Sequence, residues 1–501
     1  MTRCRLQAIG EAGHDSSGQR IGPARLCHDG AISRPFRAPA FNANVMSMAD
    51  PPSRPTAVRG PVLSFSGDPF REGIETTMVH LPDAIVVMAD GRITEVGPAD
   101  RIARALPPGT EIRNFGKDAL ISAGFIDSHV HFPQTPMIAA YGSQLLDWLN
   151  KYTYPTELKY ADKEFARDVA RVFLRENLRN GITTSCVYCT VHPQSADALF
   201  EEAEKLGLRL AAGKVMMDRN APDGLRDTAA SGYSESQALI AKWHGRGRLL
   251  YAITPRFAGS SSPEQLAMAG RLWREHPECL MQTHMAETRD EVAWIKELFP
   301  DHRNYLDVYD HHGLSGPRAV FGHGIWLEEA ELQRLHASGA AISHCPTSNF
   351  FLGSGAFDLS RALRSERPVR VGLGTDIGAG TSFSILATLG AAYKAAQLNR
   401  QALSAGHAYY LATRGGARAL YLDDRIGSIA PGMEADLVVL DMRSTPLIDF
   451  RMNQAGDLAE QLFIQMTLAD DRAVRATYVA GRLAYERRAE RAFEAPEPRL
   501  V

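Results

Sequence analysis

The feature that most constrains the fold is a regular alternation of strand-like and helix-like segments between residues 123 and 424. Short apolar runs that predict buried strands are separated by longer amphipathic stretches. The stretch from Ala161 to Arg179, for example, carries Phe165 and Val169 on one helical face. Eight such strands joined by crossover helices predict an α/β fold, a (β/α)₈ TIM-like barrel. The strands are expected to end near His131, Tyr188, Met217, Thr254, His284, His323, His344 and Thr375.

The two ends of the chain have a different sequence pattern, in which short strand-like runs alternate with turn signals. Residues 59–122 include Asp90-Gly91, a two-residue hairpin signal between runs rich in Val and Ile. Residues 425–490 include a buried-strand run at Asp436–Leu440 and a second hairpin at Thr477–Leu483. We therefore expect these two segments to form one small composite β-sandwich domain beside the barrel of residues 123–424.

Residues 1–58 differ from both regions because they are rich in Arg, Pro, Ser and Gly and show no periodicity. We interpret them as a disordered or non-native N-terminal extension. Met46 and Met48 are alternative starting residues for the native chain.

The composition limits the kinds of partner and the cellular environment that we expect for the protein. A net charge of −3 over 501 residues predicts no nucleic-acid partner, and no apolar run approaches the roughly 18 residues that a membrane helix needs. Six cysteines are too few and too scattered for a disulfide framework, so we expect a reducing cytoplasm. Cys186-x-x-Cys189 lies in a strand-like run without a second such pair, which favours packed strand cysteines over a zinc or redox pair.

The ends of the predicted strands carry the side chains best suited to chemistry. Positions i and i+2 of a strand face the same side, so His129 and His131 project together. Active sites of such barrels lie at the C-terminal ends of the strands, where His284, His323 and Asp376 are expected to join them. A single strand-end histidine is more often a packed core residue, and an aspartate after a strand is often a helix cap. Five such residues at one barrel mouth favour a metal site.

Three histidines and one aspartate suit Zn²⁺ or Fe²⁺ and leave one position for water. Glu287 follows His284 by three residues and is expected to reach the same cavity and to move protons onto a substrate nitrogen. The alternative for Glu287 is a solvated loop carboxylate. Asp127 faces the same side as His129 and is expected to support the metal ligands.

The set His129-x-His131, His284-x-x-Glu287, His323 and Gly374-Thr375-Asp376 resembles the amidohydrolase superfamily. More narrowly, the chain resembles the guanine deaminase family of that superfamily, over residues 60 to 450. The metal motifs identify only the superfamily. Five other stretches carry the resemblance to the guanine deaminase family. These stretches are Leu145–Thr153, Gly213–Asp218, Thr254–Phe257, Asn304-Tyr305 and His344–Asn349.

The resemblance implies one Zn²⁺ per subunit, with Fe²⁺ as the alternative metal, and a homodimer. The implied metal ligands are His129, His131, His284 and Asp376. His323 is implied to lie beside the metal and to orient the water. Relatives with two metals carry a carbamylated lysine on the fourth strand, whereas Tyr251–Thr254 has none here. Lys214 on the third strand is expected to be structural.

The implied reaction is hydrolysis of guanine to xanthine and ammonia by a zinc-activated water, a step of purine catabolism. Asp376 would accept a proton from the water, and Glu287 would protonate ring nitrogen N3 as C2 is attacked. The residues implied to bind the purine are Gln134, Arg256, Phe257 and His284. Arg256 offers a rigid fork of donors that suits an exocyclic carbonyl.

Two other functions stay open from the sequence. A related N-heterocycle aminohydrolase or chlorohydrolase of the triazine type would share the metal site without needing Arg256 to face a carbonyl. A non-catalytic scaffold with the same fold would have lost metal ligands, and the sequence lacks none of them. The separate class of zinc deaminases with H-x-E and P-C-x-x-C motifs is excluded because the C-x-x-C pair of this sequence, Cys186-x-x-Cys189, follows Ser185 and not a proline.

Overall fold

The computed structural model describes residues 55–141 and 145–487 of the chain. Most of the predicted N-terminal extension, residues 1–54, lies outside the described residues. The first strand begins at Thr56, so the composite domain starts earlier than the predicted residue 59. Within the described ranges, no helix is both long and apolar enough to cross a bilayer.

The strands fall into three groups along the chain. The first group is β1 (Thr56–Phe65), β2 (Met78–Ala89), β3 (Arg92–Pro98), β4 (Glu111–Asn114) and β5 (Ala119–Ala123). The second is β6 (Phe125–His131), β7 (Ile182–Tyr188), β8 (Arg209–Gly213), β9 (Val215–Met216), β10 (Leu249–Pro255), β11 (Leu280–Met285), β12 (Ala319–His323), β13 (Ala341–His344) and β14 (Arg370–Leu373). The third is β15 (Leu437–Asp441), β16 (Val474–Val479) and β17 (Arg482–Glu486).

Helices connect the strands of the second group. The helix predicted over Ala161–Arg179 spans Lys163–Arg179, and it begins there because the Asp162 carboxylate caps it by accepting the Glu164 N–H. The other helices before β11 are Pro69–Glu72, Ile74–Thr77, Ala99–Ala105, Leu145–Trp148, Tyr154–Glu157, Pro193–Leu206, Ala229–Trp243 and Pro263–Glu275. Those after β11 are Arg289–Leu298, Tyr305–His311, Glu329–Ser338, Pro346–Phe351, Leu359–Ala362, Ile385–Leu398, Ala405–Tyr410, Gly416–Ala419, Pro446–Met452 and Leu458–Leu468.

The second group of strands forms a parallel sheet in the order β6-β7-β8-β10-β11-β12-β13-β14. The strands β8 and β9 occupy one strand position that is interrupted at Lys214, and both pair with β10. Eight strand positions in sequence order with intervening helices confirm the predicted (β/α)₈ barrel.

The barrel closes at its C-terminal end through the residues that follow β14. The Asp376 N–H donates to the His129 carbonyl at 3.0 Å, and the His131 N–H donates to the Ile377 carbonyl at 2.9 Å. The buried Asp127 carboxylate accepts the Thr375 N–H at 3.0 Å and also the Thr375 hydroxyl. Closure therefore brings Asp376 against the two histidines of β6.

The two chain ends build a second sheet, as predicted. Its order is β17-β16-β15-β5-β1-β2-β3, with β4 also paired to β1. The register of β1 shifts between Gly60 and Val62, so that its first half pairs with β4 and its second half with β5. The expected β-sandwich domain is thus one continuous sheet, joined across the chain ends by the antiparallel pair β5–β15.

A buried ion-pair network fastens this sheet to the barrel. Arg209, at the start of β8, donates two hydrogen bonds to Glu434, one of them at 2.7 Å. Arg248 donates to Glu434 at 2.9 Å and to Asp436 at 3.0 Å. Burial would raise the pKa of Glu434, but the guanidinium groups of Arg209 and Arg248 hold it below its ordinary value. The pairing keeps the Glu434 carboxylate charged at the joint.

Candidate metal centre and purine pocket

The ends of β6 and β11 and the loop after β14 bring four metal-binding side chains together. His129 and His131 come from β6, His284 from β11, and Asp376 follows β14; one ligand atom of each lies within 4.8 Å of the others. Nε2 of His131 lies 3.0 Å from Nε2 of His284. Oδ1 of Asp376 lies 3.4 Å from Nε2 of both His129 and His131. The structure therefore assembles the four residues predicted as metal ligands.

The protonation of these histidines fits a bound cation. Burial lowers the pKa of His129, His131 and His284, so that all three imidazoles are neutral. Nδ1 of His284 lies 2.7 Å from the Arg256 carbonyl oxygen and donates to it, which leaves its Nε2 bare and facing His131. Nε2 of His129 is buried with no hydrogen-bond partner among the described residues.

The spacing of the ligand atoms also fits a cation of the size of zinc. Metal bonds of about 2.0–2.1 Å in a tetrahedron separate neighbouring ligands by roughly 3.3 Å. The observed separations of 3.0 and 3.4 Å lie around that value. The donor set and its geometry therefore fit the Zn²⁺ that the sequence predicts.

Two glycines give the His129 ring its space. A Cβ placed on Gly322 of β12 would lie 2.4 Å from Cε1 of His129. A Cβ on Gly374, directly after β14, would lie 2.7 Å from the His129 Cβ and 2.9 Å from the Cys345 sulfur. Any larger residue at these positions would push His129 away from its partners.

His323 ends β12 and lies beside the four-residue cluster. Its Nδ1 lies 2.9 Å from Oδ1 of Asn349. Its Nε2 faces two carboxylates, Oε2 of Glu287 at 3.5 Å and Oδ2 of Asp376 at 3.8 Å. Burial would lower the pKa of His323, but Glu287 and Asp376 hold it above its ordinary value. His323 is thus placed to pass protons between the two carboxylates.

Glu287 is not the solvated loop carboxylate of the alternative interpretation, because it is 4% exposed. Burial raises the pKa of its carboxyl to about 7, although His323 opposes that rise. Ser354 donates its hydroxyl to Oε1 of Glu287 at 3.0 Å, and the Glu287 N–H donates to Glu291 at 2.8 Å. A fixed carboxyl with a pKa near neutrality can both donate and accept a proton.

The residues predicted to bind the purine line the same pocket as Glu287 and three members of the metal cluster, His131, His284 and Asp376. Gln134 lies in the 3₁₀ turn Phe132–Met137 directly after β6, and Arg256 directly follows β10. Phe257 comes next, with its ring 5.9 Å from that of Trp294. The apolar part of the wall is formed by Trp148, Leu149, Leu352 and Ala379.

Sequence analysis missed four residues that shape the site. The ring of Tyr188 stacks on His131 with centroids 4.5 Å apart, and Asn349, Ser354 and Glu157 fix His323, Glu287 and Arg256. Asn349 lies within the stretch His344–Asn349 that carries the family resemblance, so the sequence did contain a signal for a role of Asn349 in the site. Glu157 lies on a short helix far from Arg256 in sequence, so no local pattern indicates it.

Several other flagged residues lie outside the cluster. Lys214 is completely buried and pairs with Asp227 at 2.6 Å and Glu235 at 3.0 Å, which supports its structural interpretation. Cys186 and Cys189 are buried free thiols in the described part of the chain, in or next to β7. Asp127 supports the ligands through the backbone, because it accepts the N–H of His129 at 3.3 Å and that of Thr375.

Sequence comparison identifies relatives over most of the chain. Residues 120–484 match the amidohydrolase family. The guanine deaminase of Escherichia coli (strain K12) is 51% identical over 416 residues, which cover 83% of this chain and 94% of that protein. A probable guanine deaminase of Deinococcus radiodurans is 37% identical over 442 residues, covering 88% of this chain and 97% of that protein.

Solved structures give the same result. The E. coli guanine deaminase structure superposes with a TM-score of 0.84 at 50% identity, over 86% of this chain and all of that one. The C. acetobutylicum guanine deaminase, solved with bound guanine in its active site, gives 0.77 at 28% identity over 86% of this chain and all of that one. An atrazine chlorohydrolase from Arthrobacter aurescens, at 21% identity and a TM-score of 0.73 over 85% of this chain and 94% of that one, shares the fold alone.

A parallel eight-stranded barrel with three histidines and an aspartate at its C-terminal mouth defines the class of metal-dependent amidohydrolases. The chain belongs to the amidohydrolase family and, within it, to the guanine deaminases.

The metal cluster predicts that substitutions of two buried strand-end histidines will differ in their effect on metal content. His284→Ala should lose most of the bound metal because one of four ligands is gone. His344→Asn is the matched control, since His344 ends β13 but packs against Phe357, with ring centroids 4.9 Å apart, outside the cluster. Elemental analysis of both purified variants measures the difference. Full metal content in His284→Ala would contradict the assignment.

Proposed function

We propose that this protein hydrolyses guanine to xanthine and ammonia, with one Zn²⁺ bound per subunit. One observation carries the proposal: three of the four predicted metal ligands line the same pocket as the Glu287 carboxyl and the donors of Gln134 and Arg256. These three ligands are His131, His284 and Asp376. A hydrolytic centre and a set of groups able to hold a polar heterocycle therefore face the same space. The names of the relatives support guanine as the substrate.

The metal would be held by the four-residue cluster of His129, His131, His284 and Asp376. An ion bound there would lower the pKa of water towards about 7 and so supply a nucleophile near neutral pH. The neutral imidazoles are already in the protonation state that coordination needs.

Asp376 and Glu287 divide the proton transfers. Burial would raise the pKa of Asp376, but the facing imidazoles of His129 and His323 lower it to about 2, so Asp376 is anionic and can accept the proton of the attacking water. Glu287, with a pKa of about 7, donates a proton to N3 as C2 is attacked. His323 lies between the two carboxylates and can pass the proton held by Asp376 to the departing amine, which leaves as ammonia when its bond to C2 breaks. The hydroxyl on C2 returns its proton to Glu287 as the C2 carbonyl of xanthine forms.

The far side of the pocket would bind the purine. Arg256 is 4% exposed and stays protonated, so its guanidinium is a permanent donor for the exocyclic carbonyl of guanine. Trp148, Leu149 and Phe257 give the flat base apolar contacts. A triazine substrate has no carbonyl for Arg256 to meet, and this buried cation is the feature that favours guanine over the triazine-type alternative.

We also propose a homodimer in a reducing cytoplasm, acting in purine catabolism. The family resemblance supports the dimer and the pathway. Burial of the free thiols of Cys186, Cys189, Cys279 and Cys345 is in keeping with a reducing compartment.

Incubation of the zinc-loaded protein with guanine should convert it to xanthine and release equimolar ammonia. Loss of purine absorbance and a coupled ammonia assay measure the reaction, and prior removal of metal with a chelator should abolish it. The proposal is wrong if guanine yields no ammonia while aminated or chlorinated triazines are turned over.

Glu287→Gln should keep its metal but lower kcat by about 10²–10⁴-fold, because the amide cannot donate a proton as a carboxylic acid does. The matched control is Glu331→Gln. Glu331 is also buried and its pKa is also raised by burial, but it accepts backbone N–H groups of Leu306 and Glu328 and does not line the described pocket. Near-normal turnover by Glu287→Gln would refute the proton-transfer role.

A further inference from the structure

A single buried carboxylate, Glu157, joins the two polar groups on the purine side of the pocket. Glu157 ends the helix Tyr154–Glu157 and is 1% exposed. Its Oε1 and Oε2 both accept from Nη1 of Arg256 at 3.0 Å. Its Oε1 also accepts from Nε2 of Gln134 at 3.3 Å. Arg256 and Gln134 come from different strand ends, so Glu157 is what ties them together.

The partners of Gln134 determine which way its amide points. Its Oε1 accepts the Gly378 N–H at 3.0 Å, and one Nε2 hydrogen goes to Glu157. Reversing the amide would set its oxygen against a carboxylate and its NH₂ against an N–H, and both contacts would be repulsive. The hydrogen that remains for a ligand is the second N–H of Nε2. Gln134 is therefore a donor toward the pocket.

Glu157 has an equivalent effect on Arg256. A guanidinium buried without a counter-ion would be costly and would favour an anionic ligand. The carboxylate neutralises that charge while engaging Nη1, and the other guanidinium N–H groups are donors with no accepting capacity. The pair suits a neutral base that offers hydrogen-bond acceptors.

We infer that Glu157 is a positioning residue. It makes Arg256 and Gln134 act only as hydrogen-bond donors toward the pocket, and so selects a purine with a carbonyl rather than an amino group at the edge that faces them. The inference rests on the proposed function and concerns how guanine is told from its 6-amino analogue, 2,6-diaminopurine. An amino group facing Arg256 and Gln134 would place donors against donors and leave all of them unpaired.

Glu157→Gln tests the inference through substrate choice. The variant amide offers both a donor and an acceptor, so the orientation of Gln134 is held only by the Gly378 N–H. We expect KM for guanine to rise about 30-fold or more with a much smaller change in kcat. The ratio of kcat/KM for guanine to that for 2,6-diaminopurine should fall by about tenfold or more. Glu157→Asp keeps the charge and should retain most of the discrimination.

The matched control is Glu434→Gln, which removes a buried carboxylate from the Arg209 ion pair at the base of the barrel. It should lower thermal stability and leave the substrate ratio unchanged. If Glu157→Gln does not fold, Gln134→Met removes the donor without unpairing a buried charge and should lower the ratio in the same direction. Metal content is measured for every variant.

Equal losses on both substrates in Glu157→Gln, or an unchanged KM and ratio, would overturn the inference. Quenching of the intrinsic tryptophan fluorescence, to which Trp148 in the pocket contributes, measures binding of guanine and of 2,6-diaminopurine without turnover. If the wild-type protein binds guanine selectively but does not deaminate it, the proposed function is wrong. The binding preference of the wild type and of Glu157→Gln then still measures the effect of Glu157 on the choice of base. Binding of both bases with equal affinity to the wild type would refute the inference alone.

Discussion

The contact between β6 and the chain just after β14 is the one on which the site depends. It consists of the two backbone hydrogen bonds that join His129 and His131 to Asp376 and Ile377, reinforced by the Asp127 carboxylate on Thr375. Because strand side chains alternate, a shift of one residue in this pairing would turn the ligands of one strand away from those of the other. Barrel closure and assembly of the metal cluster are thus one structural event.

Burial then divides the pocket into two regions of different chemistry. On the metal side, burial lowers the pKa of the three ligand histidines, His129, His131 and His284, and raises that of Glu287. Neutral ligands therefore lie beside a carboxyl with a pKa of about 7. On the purine side, a paired cation and a fixed amide present donors. The region that breaks bonds and the region that recognises the base therefore use different side chains, and they meet where Nδ1 of His284 donates to the Arg256 carbonyl.

The clustering of the four predicted ligands could be predicted from the sequence because each ligand follows a recognisable apolar strand, and barrel topology places strand ends together. His129, His131, His284 and Asp376 needed no knowledge of side-chain packing. Glu157 could not be predicted, since its partner Arg256 is 99 positions away and the pairing depends on how a short helix folds over the barrel mouth. The continuous small sheet was equally hidden, because it depends on a register shift inside β1 between Gly60 and Val62.

X-ray absorption spectroscopy of the zinc-loaded protein tests the central claim most directly. The account predicts one metal per chain with nitrogen and oxygen ligands at about 2.0–2.1 Å and the multiple-scattering pattern of three imidazoles. Sulfur ligands at about 2.3 Å, or a second metal at about 3.5–4 Å, would contradict it.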